Sequence, residues 1–164
     1  MRLFELALKA KNVLVGPGKW TEHVRDDGNG AHCALGALEV ALGYDANPDD
    51  AELAEQDPRG RALIAEMAVE LGFPTFEEWK QENKDSLDSD YLTKDQYISD
   101  CAETVMSFND DVGTQRKVQG LFVRVANRLK KKWLERRTKQ TVKGILKGAI
   151  AGAKTEAKTK ELTN

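Results

Sequence analysis

His32-Cys33-Ala34-Leu35-Gly36-Ala37-Leu38-Glu39-Val40-Ala41-Leu42-Gly43 is the stretch on which the fold class turns. It is apolar almost throughout and ends on a glycine where a helix needs a left-handed residue to close. The pattern predicts a helix from Cys33 to Leu42. Ala34, Gly36 and Ala37 near its start are small enough for a neighbouring segment to press against it. Immediately before it, Asp26-Asp27-Gly28-Asn29-Gly30 is a dense cluster of turn formers. Residues 18 to 32 therefore read as a small β-hairpin or an extended hook that delivers the chain to Cys33.

Outward from this stretch, helical spacing continues on both sides. Leu3, Leu6, Ala10 and Val13 recur every three to four residues, which predicts an amphipathic helix over 2–14 ended by Gly16-Pro17-Gly18. Asn47-Pro48-Asp49-Asp50 and Asp57-Pro58 are two helix starts, each a capping side chain followed by proline at the first helical position. Leu63, Ile64, Met67, Ala68 and Leu71 make one face of the second, stopped by Gly72. Thr75-x-x-Glu78 and Thr93-x-x-Gln96 are capping-box patterns. The polar run from Asn83 to Asp90 between them reads as a loop. Ile98, Cys101, Ala102 and Val105 then mark a buried face. The clearest helix carries Val118, Leu121, Phe122, Val125, Leu129 and Trp133, and a second stripe of Val142, Ile145, Leu146, Ala149, Ile150 and Ala153 follows it. Gly144, Gly148 and Gly152 lie within that stripe, each costing roughly 1 kcal/mol of helix propensity against alanine. The expectation is a mostly α protein: a compact helical domain over 1–133 with its hook, then a basic amphipathic extension over 134–164 that needs contacts to be firm.

The charge is divided along the chain. Met1 to Gln115 holds 10 basic and 24 acidic residues, a net of −14, whereas Arg116 to Asn164 holds 15 basic and 3 acidic, a net of +12. Their near-cancellation to −2 conceals an acidic body and a basic tail. With 40% hydrophobic and 32% charged residues the 164-residue chain has the composition of a soluble globular protein. No apolar run approaches the ~18 residues of a membrane span, and the N-terminus lacks a secretory-signal layout. Two cysteines, Cys33 and Cys101, make no disulfide framework, so the expected compartment is a reducing cytoplasm.

Trp20, Arg25-Asp26 with the Gly28 turn, Cys33-Ala34-Leu35-Gly36-Ala37-Leu38 and Phe108-Asn109-Asp110 with Gly113-Thr114 together resemble a domain-of-unknown-function family of small actinobacterial and phage proteins. The resemblance covers roughly residues 1–130 and leaves the tail after Trp133 outside it. It implies one compact, mostly helical domain in a bacterial or phage cytoplasmic protein, and it transfers no catalytic assignment. Histidine is not a fixed feature of the family pattern at position 23.

Two constellations carry chemistry. Cys33 at a helix start feels the positive end of the helix dipole, which favours a thiolate; with His23 as base and Asn109 or Asp110 to orient it, a Cys-His-Asn/Asp arrangement results. The opposing reading makes Cys33 a packed core thiol. Trp20, Arg25 and Asp110 form a candidate pocket beside it, in which Asp110 either pairs with Arg25 or, with Asn109, caps loose backbone groups next to the helix that Thr114 opens. A zinc site from His23, His32, Cys33 and Cys101 has suitable ligand types but no supporting spacing, and no metal or cofactor is expected. The second constellation is electrostatic: Arg128, Lys130, Lys131, Lys132, Arg136, Arg137, Lys143 and Lys147 are what phosphate contacts require. The preferred function is a non-enzymatic accessory binding protein, of phage origin, that engages a protein or polyanion through its tail. Nucleic acid, a membrane surface and a second copy of the chain are the partner classes. The alternatives are a small cysteine-dependent hydrolase or transferase built on Cys33, and a structural oligomer held by the C-terminal helix.

Overall fold

The computed structural model of the protein describes residues 1–25, 27–44, 53–85 and 92–161, with side chains to Lys147. Two units emerge, Met1–Asn127 and Arg128–Asn164. The first contains helices α1 (Leu3–Val13), α2 (Ala34–Leu42), α3 (Leu53–Gln56), α4 (Pro58–Glu70), α5 (Phe76–Asn83) and α6 (Lys94–Ser107). A single π-helical turn, Phe108–Val112, follows α6, and α7 (Gln115–Glu161) begins in the first unit and makes up the second.

The helix boundaries follow from the capping residues. Asp57 accepts hydrogen bonds from the amides of Arg59 and Gly60 with Pro58 at the first helical position, and Thr75 and Glu78 close a reciprocal capping box. Thr93 accepts from the amide of Gln96 at 3.1 Å, and Thr114 from that of Lys117 at 3.3 Å. Gly43 ends α2 at φ +102°, in the left-handed region expected of it. The Asn47-Pro48 start and most of the 83–90 loop lie outside the described residues.

The core of the first unit is the union of the predicted faces. Leu6, Leu14, Leu35, Leu38, Leu63, Ile64, Met67, Val118, Leu121, Phe122 and Val125 are all sealed from solvent. α1 packs chiefly on α2, and α4 on α6. Three side-chain amide bonds to backbone then hold α7 against the end of α1: Gln115 donates to the carbonyls of Leu14 and Gly16, and Gln119 also donates to Leu14, at 2.5–2.6 Å. Leu3 and Val13, at the two ends of the predicted α1 face, are only half-buried, as is Leu71, where α4 has already ended.

The 18–32 segment is a hook rather than a hairpin. Among its described residues the one strand-like pairing is an isolated parallel bridge between Trp20 and His32, in which the amide of Thr21 donates to the His32 carbonyl and the amide of His32 to that of Lys19. Successive glycine and aspartate turns bend the chain too often for antiparallel strands to run on; Gly28 and Gly30 both have positive φ. The second unit is helical from Arg128 to Glu161 despite its glycines.

Candidate functional site

The hook, the start of α2 and the π turn converge on Asn109. An α-helix closes with four-residue spacing; the five-residue spacing at 108–112 changes the direction in which Asn109 projects. Its side chain is 1% exposed. The carbonyl oxygen accepts from the Trp20 indole N–H at 3.0 Å and from the Ala34 amide at 3.1 Å. The amide nitrogen donates to the Thr21 carbonyl at 3.2 Å and to Asp110 Oδ1 at 2.9 Å. Two acceptor and two donor positions are thus all used. Asn109 ties three segments together and has no hydrogen-bonding capacity left for a histidine.

Asp110 completes the tie from outside. Its Oδ1 accepts from the amide of His23 at 2.9 Å, and its Oδ2 lies 3.2 Å from His23 Nδ1. Partial burial pushes the carboxyl up, but the His23 amide and ring together with the Asn109 amide outweigh that and hold it below its usual value. His23 is the only described non-glycine residue at positive φ, +60°. That conformation is uncommon for a residue with a Cβ, and the paired contacts to Asp110 hold it there.

Arg25 does not pair with Asp110, as the sequence had allowed. Its guanidinium turns the other way, to Glu39 Oε1 on α2 at 2.5 Å and to Glu55 on α3 at 2.6 and 3.2 Å. Glu39 is 2% exposed and also accepts, at 3.4 Å, from the Ala54 amide. Burial works against the charge on both partners. For Arg25 the two carboxylates win and keep it fully protonated; for Glu39 burial wins and pushes the carboxyl up. Arg25 is thus held as a cation between two acceptors. The Arg25 carbonyl also accepts from the Cys33 amide and lies so close to Gly36 that a Cβ there would collide with it. This contact explains the glycine at position 36. Sequence reasoning passed over Glu39 and Glu55. The signal was a lone carboxylate inside the otherwise apolar run Ala34–Leu42, which has to find a cation when buried.

Cys33 caps α2, its sulfur accepting from the Gly36 amide at 3.5 Å. Burial pushes the thiol up, outweighing the Gly36 and Leu35 amides that favour the thiolate, so the helix start does not activate it. His23, Cys33, Asn109 and Asp110 do line one common cavity, but it measures about 40 Å³, room for little more than a water. Cys101 lies buried in α6, with burial lifting its thiol to about 11. Among the described residues no cluster of three or more His, Cys, Asp or Glu side chains is arranged to hold a metal. A larger open cleft of about 480 Å³ adjoins Arg25, Glu55, Arg61, Asp95, Glu103 and Met106. Arg61 is engaged there by Asp95 at 2.5 Å.

The predicted basic residues lie on α7 in the second unit. Lys130, Lys131, Lys132, Arg136, Arg137, Lys143 and Lys147 are exposed and Arg128 half-buried. Leu134, Val142, Ile145 and Leu146 are 48%, 50%, 67% and 57% exposed. The Arg137 guanidinium lies 5.3 Å from the centre of the Trp133 ring.

Residues 5–128 match the model of a family of unknown function, DUF6197. The chain belongs to that family. The match ends one residue past the first unit, so the tie around Asn109 and the Arg25 cluster are features of this chain's DUF6197 domain, and most of the basic extension lies beyond it. No curated protein and no solved structure matches the chain significantly. Among the described residues no helix is long and apolar enough to cross a membrane.

Proposed function

We propose that the protein is a non-enzymatic binding protein of the cytoplasm, phage-encoded, whose DUF6197 domain presents a basic helical extension to a protein or polyanionic partner. The observation that carries this reading is the density of exposed charge. Residues 128–147 hold nine basic residues and one acid, Glu135, and they share the surface with four exposed aliphatic side chains. Arg136, Lys139, Lys143 and Lys147 have no carboxylate partner among the described residues. A helix that served only to cover a core would bury its aliphatic face.

The test compares the full chain with one lacking residues 134–164 for retention on immobilised heparin, a generic polyanion, and for folding by circular dichroism. The expected result is a folded truncated protein that is no longer retained. Retention that survives truncation sinks the reading, as does a truncated chain that cannot fold. Elution at modest salt marks electrostatic contact; retention that resists salt and fails on Ile145→Asp marks apolar docking.

A cysteine-dependent hydrolase or transferase remains the second reading, because His23, Cys33 and Asn109 line one cavity. The raised thiol pKa and the fully used Asn109 amide weigh against it. Slow alkylation of Cys33 in the folded protein is expected; rapid, selective labelling of Cys33 over Cys101 would reverse the preference.

A further inference from the structure

We infer that the extension docks on the DUF6197 domain of a second copy of this chain, its basic stripe laid over the acidic cleft between α5 and α6. The inference rests on the binding reading above and names its partner.

Charge complementarity between two surfaces of the same chain carries it. At about 100° of turn per residue, Lys132, Arg136, Lys139, Lys143 and Lys147 share one stripe of the extension, within an arc of about 80° and at successive spacings of four, three, four and four. Val142 and Leu146, both exposed, run along one edge of the stripe with Glu135 between them. The half-buried Leu129 and Trp133 lie on its other edge. The extension thus offers a row of cations with an aliphatic border. The domain holds the opposite. An open cleft of about 690 Å³ between α5 and α6 is lined by Glu82, Asp100 and Glu103 together with the apolar Phe73, Pro74 and Trp79. Among the described residues no lysine, arginine or histidine lines it. Asp100 is fixed in the wall by the Trp79 indole N–H at 3.0 Å and the Gln96 amide at 2.8 Å. Glu82 and Glu103 are exposed and have no cationic partner among the described residues. Asp100 and Glu103 stand three residues apart on α6, the same step that separates Arg136 from Lys139 on α7. A lysine stem can lie on the apolar part of such a cleft while its ammonium reaches a carboxylate.

The border of the stripe decides between partner classes. A phosphate polymer answers the cations and offers nothing to Val142 and Leu146. A bilayer interface needs an unbroken apolar face, and here Glu135 lies between those two side chains around the helix. The α5/α6 cleft offers carboxylates and apolar atoms together. The division of charge then favours a second copy over a foreign acidic protein. Residues 1–115 carry −14 and residues 116–164 carry +12, so every copy brings both a surface and its complement, in equal amounts. Opposite fields of this size draw copies together and orient them before contact. Two copies that exchange extensions fill both stripes and both clefts, the reciprocal contact of a two-fold pair.

The experiment measures the mass of the full chain by sedimentation velocity at about 50 mM and about 500 mM salt, since salt screens exposed ion pairs. Self-association at the lower salt and a single 18.2 kDa chain at the higher are expected. Two charge reversals divide the contact: Lys139→Glu with Lys143→Glu on the stripe, and Glu82→Lys with Glu103→Lys in the cleft. Each variant alone should be monomeric at low salt, with unchanged helicity by circular dichroism. Mixed in equal amounts, the two should associate again, because the reversed stripe then meets the reversed cleft and the native stripe the native cleft. A structural defect in either variant would not be repaired by mixing. Lys130→Glu with Lys131→Glu, off the stripe, should associate as the natural chain does. A natural chain that is monomeric at low salt overturns the inference. So do association that survives either reversal, a mixture that stays monomeric, and an equal loss in the off-stripe variant. In each of these cases, heparin retention that needs residues 134–164 leaves the binding function standing. Absence of all extension-dependent binding removes both.

Discussion

In the Met1–Asn127 unit a charge such as Arg25 is placed between two carboxylates and partly buried, whereas over 128–147 cation follows cation in solvent with a single acid among them. The same difference holds for aliphatic side chains. Phe122 is sealed in the first unit and Ile145 is two-thirds exposed in the second, although both sit on α7 at helical spacing. Amphipathic periodicity therefore does not distinguish a core face from a display face. What distinguishes them is whether other elements supply atoms to pack against, and only the first unit has those elements.

The contrast is sharpest in stability. Phe122→Ala should cost about 3–5 kcal/mol, since it empties a fully packed site, while Ile145→Ala should change stability by less than ~0.5 kcal/mol. Denaturant melts of the two variants decide this, and comparable losses would mean that the extension is part of the core. Arg25→Ala should come close behind, at roughly 3 kcal/mol at neutral pH, because Glu39 is left buried without its cation. The loss should shrink as pH falls and Glu39 takes up a proton, and Glu39→Gln in the same chain should restore part of it. A pH-independent loss would show that packing of the Arg25 stem, not the charge, was responsible.

Asn109→Ala strands the Trp20 indole N–H and the Ala34 amide, and should cost about 2 kcal/mol. The change should also release the hook, so amide exchange should quicken over residues 19–33 while α7 is unaffected. Uniform exchange across the first unit would argue against a local tie. Within the first unit the smallest effect belongs to Asp57. Its partners, chiefly the Arg59 side chain, hold its pKa down to about 2 against burial. A carboxyl depressed in the folded state contributes stability above its unfolded pKa of about 4, and that contribution disappears as pH falls toward 2. Asp57→Asn should therefore cost about 1 kcal/mol at pH 7, with the half-exposed Arg59 limiting the ion pair's share, and the deficit should vanish near pH 2.

Local chemistry made much of the molecule legible in advance. Caps at Asp57, Thr75 and Thr93, the stop at Gly43 and the faces of α1, α2, α4, α6 and α7 depend on residues within a turn of one another, and sequence displays such neighbours directly. Residues 20–38 and 107–111 also meet, as the paired motifs suggested, but their roles follow from distances across the fold. The helix start that should activate Cys33 is buried, and burial outweighs the amides favouring the thiolate. Asn109, which had been available to orient a base, is consumed by hydrogen bonds to residues more than seventy positions away.

By itself the sequence determined the helical class and the division into an acidic body and a basic tail, because each follows from composition or from residues close along the chain, and its short motifs pointed to the family. Only the tertiary structure decided that Arg25 faces Glu39 and Glu55 instead of Asp110, that a π turn buries Asn109, and that Leu134, Val142, Ile145 and Leu146 stay exposed. Those outcomes depend on which distant atoms share a dry, crowded space, and the strength of a charge, the pKa of a thiol and the fate of a leucine are set there.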